Sequence, residues 1–102
     1  MTIEFTNKLT DEEISFTWFT YSLIIDYIIT FYKIKDQDVP HIIQKLEHTT
    51  NEGEITVDEV KMLYTLLSKE IVVPEGDVGK YFKNFCKLIF HADRCNASII
   101  IS

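Results

Sequence analysis

The chain has 102 residues, a formal net charge of −6 at pH 7, 46% hydrophobic residues and 25% charged residues. This composition is typical of a globular protein and argues against a disordered chain. The length predicts a single domain that spans residues 1–102. The negative charge argues against general nucleic-acid binding.

The first predicted element is a long helix that begins in the segment LTDEEI and runs to about Lys35. Thr10 is suited to cap this helix because its hydroxyl can accept a hydrogen bond from a free backbone N–H, and Glu13 completes a capping box. Residues 15–22, SFTWFTYS, are also typical of a strand because they are rich in Thr and aromatic residues. The helix is favoured because no Gly, Pro or Asn interrupts residues 15–32 to form a turn.

Residues 15–32 are apolar on nearly every side of this predicted helix, and Asp26 is their only charged residue. A carboxylate in the middle of a membrane span costs roughly 2.5–3.5 kcal/mol, so we predict that this helix does not cross a membrane. A helix apolar nearly all round must be covered, and the shorter helices leave part of its surface free. We therefore predict a homodimer, the alternative being a central helix wrapped within one monomer. The predicted dimer interface comprises Trp18, Tyr21, Ile25, Ile28, Ile29 and Tyr32.

Three further helices are expected along the chain. The second follows KDQDVP, where Asp38 is a candidate cap and Pro40 suits a first turn. The third begins in ITVDEV, where Thr56 and Glu59 repeat the capping box. The fourth is predicted over residues 77–92, after the break at VVPEGD. The predicted fold is therefore all-α, a compact bundle of about four helices. The end segments TIEFT and ASIIIS are short and strand-like, and they either pair or dock against the bundle.

Two sets of residues have side chains of the types that bind metal ions. The segment HTTNEGEITVDE resembles an EF-hand calcium loop, with Gly53 at the sharp turn and Glu59 at the last ligand position. However, His48 and Thr50 stand where carboxylates are expected, and an ordinary turn followed by a capping box explains the same residues. We predict no calcium binding.

Zinc is the second metal possibility. Cys86, His91 and Cys95 suggest it by type, with His41 or His48 as a fourth ligand. The five-residue step from Cys86 to His91 separates these side chains by about 140° on a helix, which does not match the usual zinc spacings. We predict no metal site and no cofactor.

The sequence contains few of the features that are typical of an enzyme. It contains no nucleophile elbow, no Gly-rich phosphate loop and no metal-binding His pair. Nucleophilic catalysis needs a nucleophile, a base and an orienting group brought together. We predict a protein that is not an enzyme, although a site assembled only by the fold remains an alternative.

The fourth predicted helix carries a strip of basic residues opposite its apolar side. Residues 1–75 have a net charge of −8 and residues 76–102 a net charge of +2, so the charge is polarised along the chain. The strip is interpreted either as a binding surface for an acidic protein, a nucleic-acid backbone or a phosphorylated ligand, or as a solvated face balanced by the acidic remainder. The candidate partner-binding residues are Lys80, Lys83, Lys87, His91 and Arg94.

Together these observations predict a small acidic protein that acts by binding another protein. Its size, composition and lack of catalytic groups are typical of a phage or viral accessory protein that inhibits a host factor. A nucleic-acid-binding protein that uses the fourth helix, and a protein that binds a small ligand such as a nucleotide, are the alternatives. The N-terminal segment has no basic stretch followed by an apolar run, and two cysteines make no disulfide framework. We therefore expect a cytoplasmic protein of the producing or host cell.

Overall fold

The computed structural model describes residues 1–102 and shows an α+β fold. The prediction of an all-α helical bundle is wrong, because four strands form one antiparallel sheet beside the four helices. A π-helical turn, Leu66–Glu70, directly continues the third helix. In chain order the elements are β1 (Thr2–Asn7), β2 (Glu13–Thr17), α1 (Trp18–Ile34), α2 (His41–Glu47), β3 (Gly53–Ile55), α3 (Val57–Thr65), α4 (Gly76–Arg94) and β4 (Ile99–Ile101).

The sheet has the strand order β2-β1-β4-β3, so the two ends of the chain lie side by side at its centre. Phe5 of β1 lies opposite Ile14 of β2 on one side and Ile101 of β4 on the other. Successive side chains of a strand point to opposite faces, so Ile3 and Phe5 enter the core while their neighbours face solvent. The strand-like ends therefore pair with one another and build the middle of the sheet.

The long first helix of the prediction is wrong in its first third. Helix α1 begins at Trp18, and the preceding residues form β2. Thr17 is extended, with φ −65° and ψ 153°, and its hydroxyl accepts a hydrogen bond from the Thr20 N–H at 3.1 Å. The chain thus changes from strand to helix at one residue. This change needs no turn residue, so the absence of Gly, Pro and Asn from residues 15–32 does not exclude a strand in this segment.

The predicted cap at Thr10 is also wrong. Thr10 lies in the turn between β1 and β2, where Asp11 adopts the left-handed conformation with φ 60°. The buried side chain of Asn7 organises this turn, because its Oδ1 accepts hydrogen bonds from the N–H groups of Leu9 at 2.9 Å and Thr10 at 3.2 Å. The segment is therefore a hairpin turn and not a helix start.

Helices α1 and α4 cover the apolar face of the sheet. The Phe5 ring lies 5.5 Å from the Phe85 ring of α4 and 5.6 Å from the Tyr21 ring of α1. The Tyr21 hydroxyl donates to the Leu46 carbonyl at 2.6 Å, and burial raises the pKa of Tyr21 above its usual range. This side of α1 is therefore packed within a single chain. Five of the residues predicted for a dimer interface are buried in this core, with Trp18 partly buried beside them: Tyr21, Ile25, Ile28, Ile29 and Tyr32.

The later helices follow the sequence signals more closely. The capping box of α3 is confirmed: the Thr56 hydroxyl accepts from the Glu59 N–H, and the Glu59 carboxylate accepts from the Thr56 N–H at 2.9 Å. Helix α2 begins after Pro40 without a side-chain cap, so Asp38 does not have the predicted role. None of the helices combines the length and the apolar character that a membrane crossing requires.

Candidate functional site: a basic groove along α4

Helix α4 presents an apolar side to the core and a basic side to solvent. Phe82, Phe85 and Ile89 are fully buried, at spacings of three and four residues that keep them on one side of a helix. The same periodicity puts the candidate partner-binding residues on the opposite side. The structure places these residues on one exposed surface, with His91 less exposed than the others: Lys80, Lys83, Lys87, His91 and Arg94.

A groove of about 420 Å³ runs between this basic side and the segment from the π-helical turn to Val73; we call it the basic groove. Its apolar lining comes from both walls and consists of Leu67, Val73, Cys86 and Phe90. Its polar lining consists of Ser68, Lys83, Lys87, His91 and Arg94. The structure therefore brings four of the five predicted residues into one concave site, and Lys80 borders the neighbouring depression together with Lys83.

The cations of this surface are largely free of anionic partners. Lys80, Lys83, Lys87 and Arg94 make no salt bridge within the chain. By contrast, Lys45 pairs with Glu59 at 2.7 Å. The acidic remainder of the molecule therefore does not neutralise the strip by direct contacts. A partner can pair with these four cations without displacing an existing ion pair.

His91 has a structural contact that the sequence did not reveal. Its Nδ1 lies 3.1 Å from Glu12 Oε1, which ties the end of α4 to the hairpin turn between β1 and β2. The two residues are 79 positions apart, so no local pattern indicates the pair. His91 therefore borders the basic groove but already contacts the Glu12 carboxylate. The positive charge of the site comes from the unpaired side chains of Lys83, Lys87 and Arg94.

The second wall of the basic groove was missed by sequence reasoning. Leu66–Glu70 form a π-helical turn, and such turns often occur at functional sites. Ser68 in this turn donates its hydroxyl to the Tyr64 carbonyl at 2.6 Å, and the Tyr64 ring packs edge-to-face on Phe90 at 5.1 Å. The Tyr27 hydroxyl donates to the Val72 carbonyl and holds the following segment against α1. Two contacts between residues distant in sequence, Tyr64 with Phe90 and Tyr27 with Val72, therefore fix this wall.

Cys86 contributes apolar surface and not reactivity. Burial raises the pKa of its thiol to about 11, so the thiol stays protonated at neutral pH. A protonated thiol is a poor nucleophile and a poor metal ligand. Cys86 therefore belongs to the apolar lining of the basic groove.

The candidate metal-binding residues have other roles in the structure. Gly53–Ile55 form β3, and the Glu59 carboxylate is occupied by the Thr56 N–H and the Lys45 ammonium. Cys86 and Cys95 are free thiols. No group of three or more His, Cys, Asp or Glu side chains is arranged to hold a metal ion. Comparison with known proteins adds no further assignment, because no protein-family model, curated protein or solved structure matches this chain.

Proposed function

We propose that the protein acts without catalysis, by binding an acidic segment of another protein in the basic groove. The observation that carries the proposal is the combination of unpaired cations and apolar side chains in one concave site. Cations at a rim steer an acidic partner toward the site, while apolar side chains at the centre contribute the larger share of the binding free energy.

A protein partner fits this site better than a nucleic acid. A long polyanion extends beyond the groove, and the net charge of −6 repels the part that lies outside it. A short acidic segment has most of its charges within the groove, where the local field is positive. The apolar lining from Leu67, Val73 and Phe90 gives an apolar side chain of the partner a place to bind. The phosphate backbone of a nucleic acid offers no apolar group to that surface, and only the unstacked bases of a single strand could reach it, which the single-stranded DNA probe tests.

We further propose that binding is the biological act itself, as for a phage or viral accessory protein that occupies a surface of a host factor. A chain of 12.0 kDa needs no catalytic group to inhibit a partner if it covers a functional surface of that partner. The free thiols of Cys86 and Cys95 suit the reducing cytoplasm, where we place this activity.

The proposal is tested with defined probes by fluorescence anisotropy at low and at physiological salt. The probes are a labelled peptide of about fifteen residues that combines Glu and Leu, a Glu-only peptide of the same length, and a single-stranded DNA of twenty nucleotides. We expect the Glu and Leu peptide to bind most tightly, because it satisfies both the cations and the apolar lining. Tightest binding of the DNA would favour the nucleic-acid alternative and contradict the proposal.

The matched variants are Lys83→Gln/Lys87→Gln in the groove and Lys33→Gln/Lys35→Gln at the end of α1. Each removes two exposed positive charges, so their effects on net charge are equal. We expect the groove variant to weaken binding of the Glu and Leu peptide at least tenfold, and the control to change it less than twofold. Neither pair makes a salt bridge, so the groove variant should keep the melting temperature of the unmodified protein. The control also removes the contact of the Lys35 ammonium with the Phe31 ring, 4.3 Å from its centroid, and should lose at most about 1 kcal/mol of stability. Equal weakening by both variants would mean that the peptide senses only net charge.

A further inference from the structure

Strand β2 leaves a row of backbone groups unpaired at one edge of the sheet. The Asn7 N–H donates to the Glu12 carbonyl at 2.7 Å, so residues 7 and 12 form a hydrogen-bonded pair. Hydrogen-bonded and non-hydrogen-bonded pairs alternate along an antiparallel ladder, and this pair therefore shows which residues of β2 bond to β1. The backbone groups of residues 12, 14 and 16 therefore point toward β1. Those of Glu13, Ser15 and Thr17 point away from the sheet, and all three residues are exposed.

The opposite edge of the sheet is closed. Strand β3 has only three residues, and its outward-pointing residue is Glu54. The Glu54 carbonyl accepts a hydrogen bond from the Lys45 ammonium at 2.7 Å, and the Glu54 carboxylate lies 3.6 Å from the Lys8 ammonium. Short strands and lysine side chains are common protections of a sheet edge. Strand β2 has neither lysine nor proline, and its register with β1 runs without a bulge.

We propose that two copies of the chain pair through β2, antiparallel and with a two-fold axis beside Ser15, to form a continuous sheet of both molecules. In this register Ser15 faces Ser15 of the second copy, and Glu13 faces Thr17 of the second copy. The two Ser15 residues exchange both backbone hydrogen bonds, and each Thr17 N–H donates to a Glu13 carbonyl. The Thr17 carbonyl is left to the first turn of α1, as the carbonyl of a helix-capping residue normally is.

This register is the one that the outward residues favour. It is the two-fold arrangement in which Glu13, Ser15 and Thr17 all pair with residues of the second copy. It also places no like charges opposite one another. An axis beside Glu13 would set two Glu13 carboxylates face to face, which is unfavourable for a cross-strand pair. An axis beside Thr17 would leave Glu13 and Ser15 without strand partners, because α1 begins at Trp18.

Exposed apolar side chains lie in the segments before and after β2, and this pairing brings them together. Phe19, at the start of α1, is 74% exposed, and Leu9, in the hairpin turn, is 66% exposed. In an antiparallel pair the start of α1 in one copy lies beside the hairpin turn of the other. Pairing therefore shields apolar surface at both ends, in addition to the backbone hydrogen bonds. The proposed interface is distinct from the basic groove and does not depend on it.

The proposal is tested first by light scattering of the unmodified chain at 100 µM. We expect twice the chain mass of 12.0 kDa. Ser15→Pro removes an N–H that points away from β1, a position where a sheet tolerates proline, so this variant should stay folded and become a monomer. Ser15→Ala keeps the N–H and should remain a dimer. A monomer of the unmodified chain at this concentration, or a folded dimer of Ser15→Pro, would overturn the proposal.

A cross-linking experiment decides the register even if the proline variant does not fold. In the proposed pair, residue 15 lies opposite itself at a Cα separation of about 5.5 Å, within the range of a disulfide. Two residues 13 are separated by four residues of extended chain, about 14 Å, which a disulfide cannot span. Under mild oxidation, we expect Ser15→Cys to form a covalent dimer at least ten times faster than Glu13→Cys. Equal rates, or rates no higher than that of the unmodified chain with Cys86 and Cys95, would overturn the proposal.

Discussion

Two segments of this chain carry the same helix-start signal and fold differently. LTDEEI and ITVDEV both place a Thr three residues before a Glu, between apolar residues that suit a hydrophobic staple. At Thr56 the reciprocal hydrogen bonds of the capping box form and α3 begins. At Thr10 the hydroxyl accepts instead from the Glu12 N–H at 3.3 Å, and the chain reverses into β2.

The difference lies in the residues that surround each signal. Before Thr10 stands Asn7, whose buried side chain accepts from the N–H groups of Leu9 and Thr10. The Thr10 N–H is the group that the Glu13 carboxylate would accept in a capping box. After Thr10, Phe16 alternates with exposed residues and lies opposite Ile3 of β1. After Thr56, by contrast, Val60 is buried on a helical spacing with Leu63 and Leu67. The comparison teaches that a capping box marks a possible helix, and that burial of the following residues decides whether one forms.

Replacing Asn7 with Ala is expected to have the largest effect on this comparison. The Asn7 Oδ1 accepts from two backbone N–H groups, and its Nδ2 donates to Cys95 Sγ at 3.6 Å. Loss of the acceptor leaves these N–H groups unpaired, so the free energy of unfolding should fall by about 2–4 kcal/mol. Urea denaturation measures the change.

Asn51→Ala, at an exposed asparagine, is the control and should change stability by less than about 0.5 kcal/mol. A loss below about 1 kcal/mol for Asn7→Ala would show that Asn7 does not hold the hairpin.

The two threonines offer a smaller and more direct test. Thr56→Ala removes a helix cap and should reduce the free energy of unfolding by about 1 kcal/mol. Thr10→Ala removes one long hydrogen bond in an exposed turn and should cost less than about 0.5 kcal/mol. Urea denaturation of both variants gives the comparison. A larger loss for Thr10→Ala would reverse our assignment of the two signals.

The smallest expected effect is on the pH dependence of stability. Burial raises the pKa of Glu59, but hydrogen bonds from Lys45 and Thr56 and the charge of Lys45 outweigh it and hold the pKa below its usual range. A carboxyl with a lowered pKa stabilises the fold above its unfolded pKa, and that stabilisation is lost as the pH falls through the folded pKa. Glu59→Gln should therefore lower stability at neutral pH and flatten its loss on acidification.

The control for this measurement is Glu52→Gln, outside both proposed binding surfaces. Glu52 is exposed, and its carboxylate makes no salt bridge. Urea denaturation from pH 7 to pH 3 should give the same curve shape for Glu52→Gln as for the unmodified protein. Identical curve shapes for Glu59→Gln and the unmodified protein would mean that the Lys45 and Thr56 contacts do not stabilise the carboxylate.

The site was only half predictable from the sequence. Spacing alone put Lys83 and Lys87 on the solvent side of α4, because Phe82, Phe85 and Ile89 repeat with the helical period on the opposite side. The wall that turns this strip into a groove comes from the π-helical turn and Val73. Its position depends on the contacts of Tyr64 with Phe90 and of Tyr27 with Val72, which join separate parts of the chain. No sequence period indicates such contacts.

The sequence by itself determined the elements whose evidence is local: the capped start of α3, the amphipathic α4 and its basic side. Their hydrogen bonds and side-chain periods lie within a few residues of one another, so a short segment contains all the information. Only the tertiary structure decided that residues 13–17 are a strand, because this choice depends on β1 beside them and on β4 from the other end of the chain. Strand pairing stabilises a segment through a distant neighbour, and the free energy of that contact outweighs local helix propensity.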